Sequence, residues 1–195
     1  MPQKSPSPST FTDPAHEATL GERLGLSSAG RAPLRFVVVF GATAAVLLAT
    51  YYFPYHAGSA MRNLLDAYLR AYAGMAGGLL RLFEPSLVVS GQDIIGRYSI
   101  RIVKTCDGMD VNILLASAIM AWPSALRLRL IGTALGLALL VVANTARICT
   151  LYYVGVYAPA SFEFVHLELW PAAILAIAVA LFLLFIYNAR SNATA

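Results

Sequence analysis

Residues 130–154 read LIGTALGLALLVVANTARICTLYYV, and this stretch decides the class of fold. Its only charged residue is Arg147. At about 1.5 Å per helical residue it is long enough to cross the ~30 Å hydrocarbon core of a bilayer. The rest of the chain agrees with lipid as the solvent. Of its 195 residues 58% are hydrophobic and 12% charged, with a mean hydropathy of +0.67. Soluble domains carry about 25% charged residues.

Working outward, 34–53 and 167–187 are two further apolar runs of span length, and 109–122, stopped by Pro123, is expected as a fourth, short span packed against neighbouring helices. In 60–83, Met61, Leu64, Leu65, Tyr68, Leu69, Tyr72, Met75, Leu79 and Leu80 recur at helical spacing while Arg62, Asp66, Arg70 and Arg81 interrupt the run. That pattern predicts an amphipathic helix lying at the interface or against other helices. Between it and Cys106, 87–105 mixes β-branched residues with turn formers and predicts a small β-hairpin. Residues 1–33, rich in Pro, Ser, Thr and Ala, read as a disordered cytoplasmic tail, and 188–195 as a second cytoplasmic tail. The expected fold is an all-α polytopic membrane protein: one membrane domain over 34–187, a helical bundle carrying an extracytoplasmic hairpin and an amphipathic helix.

Loop charges set the sides. The loop before 130–154 holds Arg127 and Arg129, whereas 155–165 holds no Lys or Arg. The positive-inside bias puts the first loop in the cytoplasm and the second outside. Residues 54–105 would also lie outside despite their six cationic side chains, but the bias governs short loops most strongly. The net charge of +4 is scattered without a basic block and points to no nucleic-acid partner. No CxxC, HExxH, Walker loop or GxGxxG is present, so neither a metal nor another cofactor is expected. The two cysteines, Cys106 and Cys149, make no disulfide framework.

This topology gathers Cys106, Arg147 and His166 at one membrane face. Each alone has a plain reading: a packed thiol, an arginine snorkelling to headgroups beside Tyr152 and Tyr153, an interfacial histidine. An arginine deep in a span costs about 2.5–3.5 kcal/mol on insertion scales, so something should repay it. Together the three supply a nucleophile, a fixed cation and a base with the right functional groups for acyl transfer. Gly108 allows close backbone approach and exposure of helix amides, which favour thiolate. Asn144, one turn before Arg147, is placed to orient the guanidinium or hold substrate. Glu163, three residues before His166, is placed to orient the imidazole.

These residues resemble the exosortase/archaeosortase family of membrane cysteine transpeptidases. Cys106-Asp107-Gly108 opening a helix, Asn144-Thr145-Ala146-Arg147-Ile148 late in a span and His166 opening the last one fall in the family's order. The segment from Phe162 to Trp170 looks like the short exosortases of the H type. Asp107 departs from the pattern, standing where a small or amide residue is usual. The resemblance implies a protein of the bacterial cytoplasmic membrane with its active site outside. Its partners would be secreted proteins bearing a C-terminal sorting signal: a Pro-containing motif, a transmembrane helix and a basic end. Cys106 would form a thioester, His166 would move the proton, Arg147 would steady the oxyanion, and an acceptor of unknown identity would release the product. The main rival is a non-catalytic assembly factor for exopolysaccharide or protein export, in which Cys106 would be dispensable. A transporter subunit would need polar residues along a path at mid-depth, and a thiol–disulfide exchanger would need a resolving cysteine.

Overall fold

The structure is a computed structural model, which describes residues 28–104 and 106–191. Most of the tail expected over 1–33 and the last four residues lie outside the described residues. Chain order is α1 (Ser28–Tyr52), α2 (Ala60–Arg81), β1 (Val88–Ser90), β2 (Asp93–Ile95), β3 (Ser99–Arg101), α3 (Met109–Ala121) and α4 (Leu126–Tyr157). A 3₁₀ turn at Pro159–Ser161, one α turn at Phe162–Phe164 and a π turn at Val165–Leu169 then lead into α5 (Trp170–Ser191).

Among the described residues three helical segments are long and apolar enough to cross a membrane: Pro33–Tyr52, Leu126–Tyr157 and Pro159–Ser191. Their flanks expose Val37, Val46, Leu139, Val142, Leu183 and Leu184, as a lipid solvent permits. The protein is an all-α multi-pass membrane protein with a small sheet. Helix α3 spans 13 residues, about 20 Å, short of the ~30 Å core. It sits inside the bundle against α1, α4 and α5. Leu115 and Ile119 pack there with Leu140 of α4 and Ile174, Ala178 and Phe185 of α5.

Helix α2 starts at a serine cap, where Ser59 Oγ accepts from the Arg62 N–H at 3.2 Å. Its buried stripe of Leu65, Leu69, Tyr72, Ala73, Ala76 and Leu80 makes it amphipathic, as its periodicity predicts. Leu69 through Leu80 meet Leu87, Ile94 and Ile102 from around the sheet, and Ile148 and Tyr152 from α4. The hairpin expected over 87–105 is present and carries a third strand, giving an antiparallel meander in the order β1-β2-β3.

Two contacts clamp this sheet to α4. Tyr152 is fully buried; its hydroxyl donates to Glu84 Oε2 at 2.7 Å and accepts from the Arg97 N–H at 2.9 Å. It is thus an anchor for the sheet and not an interfacial tyrosine. Gly155 leaves room for the Tyr98 ring, which a Cβ there would meet at 2.5 Å. The segment after β3 is thereby delivered onto the C-terminal third of α4, beside Arg147.

Candidate active site

Cys106 lies in the turn between β3 and α3, and His166 lies in the π turn before α5. Cys106 Sγ and His166 Nε2 are 3.2 Å apart. That distance suits proton transfer from thiol to imidazole when Nε2 carries no hydrogen. The π turn has a physical effect here, because its wider i→i+5 winding reorients the residues it carries and is frequent at functional sites.

The same turn changes the reading of Glu163. In an α-helix a three-residue step would stack Glu163 beside His166. Here Glu163 is exposed and makes no hydrogen bond to the ring. Phe162 packs edge-to-face on the imidazole instead, with centroids 5.5 Å apart. The orienting partner is therefore apolar.

Asn144 is buried, and its Nδ2 donates to the Asp107 carbonyl at 2.7 Å and lies 3.5 Å from the Cys106 carbonyl. It holds the backbone of the cysteine turn and does not orient Arg147. Gly108 permits this clamp. It sits at φ +70°, and a Cβ there would stand 3.2 Å from the Asn144 amide. Both the left-handed backbone and the close approach favour glycine.

Arg147 is buried, within electrostatic reach of Cys106, Asp107 and His166. Its Nε is sealed from solvent and has no hydrogen-bond partner. A buried charged donor without an acceptor is costly, and the observation is what a site for a polar ligand atom looks like before the ligand arrives.

Asp107 has a role that sequence reading did not supply. Its carboxyl accepts from the Met109 N–H at 2.9 Å and from the hydroxyl of Tyr51 in a short hydrogen bond. The helix-start amide at Met109 is thus used by Asp107 and is not turned to the thiol. Next to this pair, Tyr52 donates to Asp110 at 2.7 Å. The C-terminal end of α1 is therefore pinned to the nucleophile turn and to α3 by adjacent tyrosines. Burial pushes the Asp107 carboxyl above its ordinary value, with the nearby Asp110 charge adding to the rise, against the lowering hydrogen bonds from Tyr51 and Met109. Two tyrosines ending an apolar run, and two aspartates three apart after a cysteine, were the signal available for this pairing.

A cavity of about 40 Å³ adjoins the thiol and the imidazole, with Ile100 and Arg101 of β3, Ile148 and Phe162 on its walls. Among the described residues no cluster of His, Cys, Asp or Glu could hold a metal ion. Cys149 lies apart, its thiol against the Ala76 carbonyl at 3.8 Å, and the two cysteines do not form a disulfide. His56 sits in the α1–α2 loop.

A half-buried cysteine–histidine pair beside a buried arginine, at one end of a bundle of membrane-spanning helices, is the arrangement that the exosortase resemblance implies. A family model described as transmembrane exosortase (Exosortase_EpsH) matches residues 25–186. The chain belongs to that family. Neither the comparison with curated proteins nor that with solved structures gives a match.

Proposed function

We propose that this protein is a cysteine transpeptidase or protease that cleaves the C-terminal sorting signals of secreted proteins. The reaction takes place at the outer face of the bacterial cytoplasmic membrane. The observation that carries the reading is the 3.2 Å approach of Cys106 Sγ to His166 Nε2 next to a buried, unsatisfied Arg147. A packing role for these residues would call for neither feature.

His166 takes the thiol proton, and Cys106 sulfur attacks the scissile carbonyl carbon, forming a C–S bond. Arg147 donates to the oxygen that becomes negative, which satisfies its free Nε–H. Collapse breaks the C–N bond, His166 returns the proton to the leaving amine, and a thioester remains. An amine acceptor then gives transfer and water gives hydrolysis. Asn144, Gly108 and Asp107 set the position of the nucleophile through the backbone. The terminal strand β3 offers unpaired backbone groups along its outer edge, and its Ile100 and Arg101 border the cavity at the thiol. An extended substrate segment pairing there would be led to Cys106. The 40 Å³ cavity is far below the ~300 Å³ of a small-ligand pocket, so the substrate enters along this edge and not into a preformed hole.

The test is processing of a tagged protein with a candidate sorting signal in cells, followed by immunoblot and mass spectrometry. Wild type is expected to generate a new C-terminus that the Cys106→Ala variant does not. The mass of that terminus separates transfer from hydrolysis. Full processing by Cys106→Ala would leave the assembly-factor reading in its place.

A further inference from the structure

A second site lies at the opposite end of the bundle. Arg35 stands sixteen residues before Tyr51 on α1, about 24 Å along the helix from the contact with Asp107. Between the start of α1 and the turn joining α3 to α4 there is a cavity of about 530 Å³. Arg35, Arg129, Ser124 and Trp122 line it, and no acidic residue does. Arg129 is held in place by its Nη1, which donates to the Met120 carbonyl at 2.9 Å. Its Nε is sealed from solvent without a partner, and so is Ser124 Oγ. Arg190 lies with its guanidinium 5.9 Å from the centre of the Trp122 ring and adds a third cation at this end.

Phe36 forms the boundary between this cavity and a second one of about 320 Å³. The second is a groove between α1, α3 and α5, walled by apolar side chains such as Phe40, Leu115, Ala118 and Phe182. A cationic chamber with spare donors at a membrane end thus continues into an apolar channel.

We infer that the two cavities together bind one anionic phospholipid, its phosphate between Arg35 and Arg129 and an acyl chain in the groove beyond Phe36. A phosphate oxygen supplies the acceptor that Arg129 Nε and Ser124 Oγ lack, and its charge answers two arginines with no carboxylate among the lining residues. Cations placed only to set membrane orientation need water and headgroups around them, not a chamber between helices holding two buried, unpartnered polar atoms. A transmembrane helix with a basic end is a poor occupant, because its charges would meet Arg35 and Arg129. The inference does not depend on the chemistry at Cys106.

Native mass spectrometry of the full chain in mild detergent tests it, with equal amounts of phosphatidylglycerol and phosphatidylcholine carrying the same acyl chains. The expected result is at least about a tenfold preference for the anionic lipid, in line with two arginines near one phosphate. The Arg35→Gln/Arg129→Gln variant brings the preference close to one. Arg35→Gln alone keeps the Arg129 contact with Met120 and loses part of the preference, which guards against misfolding of the double variant. Ala118→Trp, filling the groove, weakens retention of the anionic lipid, while Arg62→Gln/Arg70→Gln at the far end leaves it intact. Equal retention of both lipids would overturn the proposal. So would an unchanged preference in the Arg35 and Arg129 variants, or displacement of the lipid by inorganic phosphate at equal concentration.

Discussion

At the Cys106 end the polar groups lie inside the helix packing, whereas at the Arg129 end they ring an open chamber. Asp107, Asn112, Asn144 and Arg147 are all buried, and three of them belong to the nucleophile turn or touch it. Arg35 and Arg127 at the other end are exposed, and Arg129 is half-buried. Exposed cations at a membrane end cost little and fix orientation. Buried ones cost several kcal/mol and are kept for work at a site. The contrast separates cations left accessible at one end of the bundle from an arginine buried beside the cysteine–histidine pair, within one chain and one charge type.

The hardest test of that contrast is loss of processing. Cys106→Ala is expected to abolish it, and His166→Ala to slow it by about 10²–10⁴-fold, the usual worth of a positioned acid–base group. Arg127→Gln, at the far end and outside the chamber lining, should leave the processed fraction unchanged in the same immunoblot. Equal loss in all three would collapse the distinction. Arg147→Gln comes next, with an expected fall of about 10²–10³-fold in processing rate, the cost of one oxyanion donor. Arg147→Lys keeps the charge and should recover only part of it, because a lysine cannot reproduce the guanidinium geometry. Full rescue by lysine would mean that charge at this depth is sufficient.

Smaller effects are expected at the backbone clamp. Asn144→Ala leaves the Asp107 carbonyl without its 2.7 Å donor, at a cost of about 1–3 kcal/mol in thermal or denaturant unfolding. Gly108→Ala forces an ordinary residue into the left-handed region, at about 1–2 kcal/mol, and crowds Asn144 besides. If the two changes act on the same clamp, the double variant loses less than the sum. Strict additivity would show that they act apart.

The amphipathic helix and the three spans were legible because hydrophobic periodicity and length are local properties of the chain. Cys106, Arg147 and His166 were legible because polar groups in apolar runs stand out. The partners of those groups were not. Glu163 followed α-helical spacing onto His166, but the chain winds through a π turn there, which no local pattern announced. Asn144 was read toward Arg147, its helical neighbour, when its amide serves a turn 37 residues away. Tyr51 and Asp107 are 56 residues apart, and only the packing of α1 on α3 joins them. The third strand escaped because Ser99–Arg101 is too short to carry an alternation of its own.

The smallest effect concerns pH, and it distinguishes a neutral anchor from a charged one. A carboxyl whose folded pKa is raised favours its protonated form in the native state. Its contribution to stability is therefore complete below the ordinary carboxylate value of 3.8 and is lost as pH rises through the raised value. Melting of the purified protein in detergent should thus decline from pH 4 toward neutrality by the share that Asp107 supplies. Asp107→Asn keeps one acceptor oxygen for the Met109 N–H, turns an amide NH₂ toward the Tyr51 hydroxyl and cannot ionise, so its melting curve should be flatter across that window. Had Asp107 been stabilised as a carboxylate by Arg147, the slope would have the opposite sign and Asp107→Asn would destabilise most near neutral pH. The sign of that difference decides whether Arg147 is committed to Asp107 in the resting protein or is left available for the carbonyl that the proposed reaction requires.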